Sequence, residues 1–200
     1  MARRSDNTRK ELKEMTIEAG VGLLEKGGLE ALTARAIAGR IGYTVGTLYN
    51  VFEDLEDIVM HINAATLREM YEVLTPLANA KKPAEKRILD IARAYGDYAR
   101  ANPARWNLLH HSPRNPKLPE WFHEAVTRIF TMGESVLLEM DGIGKKAAHD
   151  AARVLWAGLH GICALSINQK LDYVDAKPMH ALIENFVSAY LKGLSVTEQK

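Results

Sequence analysis

The sequence predicts an all-α fold of about nine helices, and three observations carry that expectation. Apolar residues recur at the 3.6-residue helical period along the chain, whereas strict apolar/polar alternation is scarce. The periodic stretches open on residues that cap helices and close on glycine or proline. A hydrophobic fraction of 47% with 26% charged residues fits a folded globular chain rather than a disordered one.

The first helix is expected from about Asn7 to Lys26. Leu12, Met15, Ala19 and Leu23 make its stripe, Ile17, Val21 and Leu24 widen it, and Gly27-Gly28 ends it. A short second helix follows the cap residue Thr33, from Ala34 to Ile41, and Gly42 stops it. Tyr43 and Thr44 turn the chain, with Thr44 capping a third helix over residues 45–52. Asp54 caps a fourth, with Asp57 three residues on, where a capping box puts its acid. Leu55, Ile58, Val59, Ile62, Leu67, Met70 and Leu74 stripe that helix, and Pro76 closes it. Residues 79–83 read as a linker. Residues 84–101 then repeat Ile88, Ile91, Tyr95 and Tyr98 before Asn102-Pro103 breaks the pattern, and a short helix covers 104–111. The proline-rich run 112–119 is loop. Helices are expected over 121–140 and 147–171, separated by the turn 141–144. A last one carries Met179, Leu182, Ile183, Phe186, Val187, Tyr190 and Leu191.

Several classes of function are disfavoured. No run approaches 18 uninterrupted apolar residues, so no membrane span is expected, and the charged N-terminus lacks the apolar stretch of a secretory signal. The single cysteine, Cys163, excludes an internal disulfide and suits a reducing cytoplasm. No P-loop, His-Glu-x-x-His or Gly-x-Ser-x-Gly pattern occurs, so no catalytic residue, metal or cofactor is expected. Glu120-x-x-His123 has the spacing of half a di-iron site but lacks its second half, and the adjacent His110 and His111 point to different helix faces. The net charge is only +1, so a nucleic-acid partner requires a local basic surface. Arg3, Arg4, Arg9, Lys10 and Lys13 supply one against Asp6 and Glu11.

The informative stretch is residues 33–52, TARAIAGRIGYTVGTLYNVF. Two short helices joined by a glycine-containing turn have the form of a helix-turn-helix. Ala36, Ala38 and Gly39 are small enough for the helices to cross, and Ile37, Ile41, Leu48 and Phe52 form an apolar plug. The second helix then offers Thr44, Val45, Gly46, Thr47, Tyr49 and Asn50 to a major groove about 12 Å wide. The segment over roughly residues 8–62, with T-x-R-x-I-A followed by G-T-L-Y-x-x-F, resembles the TetR family of bacterial regulators. That resemblance implies an N-terminal three-helix DNA-binding domain, a C-terminal helical bundle that dimerises, and operator DNA as partner. It implies that Arg35 reaches a guanine edge or phosphate, and that Thr33 and Thr44 present helix N-termini to phosphates. Thr47 and Tyr49 would hold the backbone, and Val45 and Asn50 would lie where bases are read. Arg3 and Arg4 would form an arm on the DNA. Two departures stand out: Leu55 where a lysine commonly opens the fourth helix, and Val45 where a polar residue is frequent. Both imply fewer phosphate contacts and a shallower salt dependence. Simpler roles stay open, with Thr33 and Thr44 as plain caps, Tyr49 as a packed aromatic and Arg35 as a solvated charge.

Domains are expected over 7–54 (DNA-binding), 55–82 (connecting helix and linker) and 83–195 (ligand-binding and dimerisation). The helix over 147–171 is apolar on two sides, which suggests one face inside its own domain and the other against a second copy. Leu155, Gly158, Leu159 and Ile162, with Leu182, Phe186 and Tyr190 of the last helix, are the expected homodimer interface. The pattern Trp156-x-x-x-His160-Gly161 also resembles the Trp-His-Gly subgroup of TetR C-terminal domains. A hydrophobic or aromatic effector would sit among Tyr95, Tyr98, Trp106 and His110, with Trp121, Phe122, Met132, Trp156 and His160. Each of these aromatics has core packing as its alternative. The expected function is therefore a sequence-specific regulator, a repressor released by a small molecule. A helical adaptor binding only protein and a metal-dependent bundle enzyme are the alternatives.

Overall fold

The computed structural model describes residues 7–111 and 118–197. Among these residues the chain forms nine α-helices and one 3-10 turn, without a strand. The helices are α1 (Arg9–Ala31), α2 (Ala34–Ile41), α3 (Val45–Leu48), α4 (Leu55–Ala78), α5 (Ala84–Ala101), α6 (Pro103–His111), α7 (Glu120–Leu137), α8 (Lys145–Ile167) and α9 (Met179–Thr197). None is long and apolar enough to cross a membrane.

The described residues divide into two compact units, one drawn from Met1–Thr66 and Ala104–Leu118, the other from Leu67–Pro103 and Pro119–Lys200. In the first unit, α1 opens on a capping box that sequence reading overlooked. The Thr8 hydroxyl accepts from the Glu11 N–H at 3.2 Å, and the Glu11 carboxylate accepts from the Thr8 N–H at 2.7 Å. Gly28 takes a positive φ of 68° and kinks the helix rather than ending it as expected, and helical bonding resumes as far as Ala31. The buried face is Leu12, Thr16, Ala19, Gly20 and Leu24, so the expected stripe ran one residue out of phase at Met15 and Leu23. Leu24, Ile37, Leu48, Ile58 and Ile62 are wholly buried and form the core with Phe52. A Cβ on Gly20 would lie 2.6 Å from Ile62 Cδ1, so α1 and α4 nearly touch there.

α6 is the main departure from the expected domain boundaries. Its Leu108 inserts into the core of the first unit and Trp106 is fully buried, so the helix packs with the N-terminal residues and not within 83–195. Pro76 does not close α4, which runs to Ala78. A proline in the last turn removes one N–H donor, and the Asn79 N–H still bonds to the Thr75 carbonyl at 3.1 Å. α8 ends at Ile167, short of Leu171, because Asn168 caps it by donating from its side chain to the Ala164 carbonyl at 2.8 Å. A 3-10 turn follows at Leu171–Val174.

In the second unit α5, α7, α8 and α9 pack together. Ile183, Val187 and Leu191 of α9 are buried at helical spacing, and a Cβ on Gly96 of α5 would lie 2.7 Å from Ile183 Cδ1. The buried Arg87 of α5 donates to the Ala78 carbonyl at the end of α4 (2.7 Å) and to Glu139 after α7.

Candidate nucleic-acid interface

The stretch 33–52 is built from its caps. The Thr33 hydroxyl accepts from the Ala36 N–H at 3.2 Å and starts α2, whose Ile37 and Ala38 are buried. Gly42 ends it in the left-handed region, φ 77°, and the Tyr43 N–H closes on the Ala38 carbonyl at 2.9 Å. That reversal needs a residue without a Cβ penalty, which is why the turn falls there. Thr44 then caps α3, accepting from the Thr47 N–H at 3.2 Å. α3 is shorter than expected. Regular bonding covers only Val45–Leu48, and the chain tightens through residues 49–51 before Phe52. The segment still bonds, the Val51 N–H to the Leu48 carbonyl at 2.9 Å in a tightened turn and the Phe52 N–H to the same oxygen at 3.0 Å with ordinary helical spacing. Buried Leu48 and Phe52 hold the segment on the core from below.

The expected contact residues divide by exposure. Thr33, Arg35, Thr44, Gly46, Tyr49 and Asn50 are exposed, whereas Val45 and Thr47 are half-buried. Val45 packs against the core cluster, and the Thr47 and Thr44 hydroxyls lie 2.9 Å apart. Leu55, too, packs partly against that core. Arg3 and Arg4 lie outside the described residues. Asn7 is described, and its side-chain N–H donates to the Tyr43 hydroxyl at 3.0 Å, which ties the entry to α1 to the turn between α2 and α3. No pattern in the sequence marked that contact, because the partners are 36 residues apart.

Behind the recognition segment lies an ionisable group the sequence reading passed over. The His61 ring meets the Phe52 ring edge-on at 5.5 Å, its Nε2 is 3.5 Å from Asp57, and Lys13 lies 5.9 Å over Phe52. Burial lowers the His61 pKa, the Lys13 charge lowers it further, and Asp57 opposes both. Asp57 also accepts from the Glu53 N–H, while Asp54 accepts from the Asp57 N–H at 2.8 Å and caps α4.

The expected effector residues are drawn from both units. Trp106 and His110 lie with ring centroids 4.3 Å apart in the first unit. Trp121 is exposed, Phe122 is buried, and Met132 receives a 3.8 Å contact from the Thr75 hydroxyl. In the second unit, however, Tyr95, Trp156 and His160 do come together. Trp156 stacks on His160 at 5.8 Å and meets Phe130 edge-on at 5.6 Å. Burial raises the Tyr95 hydroxyl pKa well above its usual value, the nearby Cys163 adds to that, and a hydrogen bond with Trp156 opposes it. Burial pushes the Cys163 thiol to about 12. Tyr98 is buried on the same helix as Tyr95.

The expected dimer residues also divide. Leu155 and Leu159 are buried inside the protomer, and the Phe186 ring covers Gly158 so closely that a Cβ there would sit 2.2 Å from it. Phe186 stacks on Tyr190 at 6.2 Å, and Ile162 and Leu182 are half-buried. The small residue serves a contact between α8 and α9 of one chain. The face of α8 left outside carries Val154 and Leu165 instead, with Gly161 half-buried between them. Glu120 and His123 are both exposed, and no group of three metal-ligating side chains occurs among the described residues.

Residues 17–62 match the model described as "Bacterial regulatory proteins, tetR family", and residues 88–190 match "Tetracyclin repressor-like, C-terminal domain". The second match does not single out a Trp-His-Gly subgroup. An uncharacterised HTH-type transcriptional regulator of Mycobacterium tuberculosis is 28% identical over 165 residues, covering 82% of this chain and 73% of that protein. The HTH-type transcriptional repressor KstR of Rhodococcus jostii is 29% identical over 142 residues, covering 70% of this chain and 58% of its own length. The solved structure of a TetR variant from Acinetobacter baumannii in complex with minocycline has the same fold. Its TM-score is 0.69 at 18% identity, with 93% of this chain and 97% of that one covered. With both its N-terminal and C-terminal segments matched, the chain belongs to the TetR family, and is a helix-turn-helix DNA-binding transcriptional regulator rather than an enzyme.

Proposed function

We propose that the chain acts in the cytoplasm as a homodimeric repressor, released from its operator by a small aromatic or hydrophobic effector. The observation that carries the operator reading is the outward row of Arg35, Thr44, Gly46, Tyr49 and Asn50, held by two threonine caps over the buried Ile37, Leu48 and Phe52. Arg35 reads a guanine or grips a phosphate, Asn50 faces the bases, and Tyr49 with the cap threonines fixes register on the backbone. Arg3 and Arg4 add an arm, and two copies read half-sites about one helical turn, or a small multiple, apart.

The exposed Val154 and Leu165 of α8 support pairing of two chains through that helix, with Phe186 and Tyr190 of α9 at its flank. The effector is taken up at Tyr95, Trp156 and His160, where flat rings surround one hydroxyl and one imidazole. It switches the protein only by binding one conformer better than the other. α4 supplies residues to both compact units and is the element on which such a difference acts. Repression is favoured by the name of the Rhodococcus relative, and a small-molecule effector by the minocycline complex of the Acinetobacter protein.

The experiment is selection of duplex DNA from a random pool on the full chain, followed by anisotropy titration of the enriched site. A half-site palindrome is expected, bound more weakly as salt rises, with the shallow slope that few phosphate contacts imply. Enrichment of nothing, or binding indifferent to salt, would sink the reading in favour of the protein-only adaptor. Aromatic compounds are then screened for release of the bound site, with Trp156→Ala expected to blunt the response.

A further inference from the structure

A cavity lies away from the aromatic group, on the side of α9 that meets α5. Its volume is about 340 Å³, within the range of small-molecule sites. Leu89 of α5, Met140 after α7, and Val187 and Leu191 of α9 form its floor. Met140, Val187 and Leu191 are buried, so the floor is preformed. At the rim stand Lys86 of α5 and Lys192 of α9, with Ser188 one helical turn before Lys192 and Glu85 beside Lys86 in the chain. The cavity is thus apolar below and cationic above, with one positive charge in excess when two lysines are set against one glutamate.

The lysines supply the charge of the site. Several cations of this unit are engaged, Lys82 with Asp90, Lys146 with Asp150, Arg87 with Glu139, Arg93 with Glu184 and Arg153 with Glu134. Neither Lys86 nor Lys192 has an ion-pair partner among the described residues. Two ammonium groups on facing helices over a shared apolar floor complement one kind of molecule, an acid with an apolar body. We infer that this groove binds a small amphipathic carboxylate, its tail on Leu89, Val187 and Leu191 and its head between Lys86 and Lys192. The Ser188 hydroxyl donates to the same head group. The site shares no residue with the proposed effector or operator contacts, so it stands or falls separately from them.

The probe is octanoate, titrated calorimetrically into the full-length protein, with octanol and octylammonium as the neutral and cationic controls. Octanoate is expected to bind saturably, more weakly as salt rises, and octylammonium not at all. The double variant Lys86→Gln/Lys192→Gln should lose about tenfold in octanoate affinity, since exposed ion pairs each contribute modestly. Octanol binding should be unchanged in it. Ser188→Trp, at an exposed position, should fill the groove and abolish octanoate binding without altering the melting curve. Equal binding of octanol and octanoate, or full octanoate affinity in either variant, overturns the assignment. So does a change in sedimentation mass on Ser188→Trp, which would mean a second chain covers the groove. Operator binding measured on the same variants should be unaltered, and its loss would equally count against a separate site.

Discussion

Arg35 projects from the first turn of α2 into solvent, on a helix whose opposite side is fully buried. Replacing it with alanine removes a side chain from the surface and nothing from the core. Arg35→Ala should therefore weaken operator binding by about tenfold or more, the roughly 1–3 kcal/mol of a bidentate base contact, while the circular dichroism spectrum and melting point stay put. Thr44→Ala is a different kind of loss. The hydroxyl holds the Thr47 N–H, so the variant should lose about 1 kcal/mol of stability as well as affinity, measurable by urea titration. His61 carries a pH prediction. Burial and Lys13 lower its pKa in the fold, so the folded state favours the neutral ring. Above the ordinary histidine pKa of about 6.5 the ring is neutral in both states and the fold keeps its full stability. As the pH falls below that, the unfolded chain takes up the proton first and stability is lost. His61→Leu should flatten the fall in stability between neutral pH and about pH 5, and an unchanged slope would assign it to other groups.

At the scale of elements, three close approaches help set the packing, Gly20 on Ile62, Gly96 on Ile183 and Gly158 on Phe186. α8 and α9 meet where the Phe186 ring lies on Gly158, and any Cβ there collides with ring carbons at 2.2, 2.5 and 2.8 Å. The ring is packed rather than at the end of a flexible chain, so Gly158→Ala should cost about 1–3 kcal/mol of stability, read as a lowered urea midpoint. The stripe on α8 was legible as a two-sided apolar pattern, but which side faces inward was not. Leu155, Leu159 and Cys163 are buried where Val154 and Leu165 are exposed, and the positions of α5, α7 and α9 choose between the two faces. Likewise α3 read as eight residues and is four. Regular helical bonding gives way to tighter turns after Leu48, and the apolar spacing to Phe52 is satisfied by either.

For the whole molecule, dimerisation is the property most exposed to test. Leu165→Glu puts a charge on the outward face of α8 and leaves the protomer core alone. Sedimentation velocity should show a shift to monomer, with helical content retained and operator affinity falling because two half-sites are no longer held together. A variant that stays dimeric would move the interface off this face.

The amino-acid order was enough to determine the helical class, the places of most caps and breaks, and the twenty-residue DNA-reading unit. These depend on neighbours within about four residues, through Thr33 on Ala36, Thr44 on Thr47, and glycine at the left-handed Gly42. Tertiary packing alone decided that α6 lends Leu108 to the N-terminal core, that Asn7 reaches Tyr43, and that Trp156 and His160 join Tyr95. The periodicity of a helix says which residues share a face. It carries no information about which other helix that face will meet, because that choice is made by the summed burial of the whole chain.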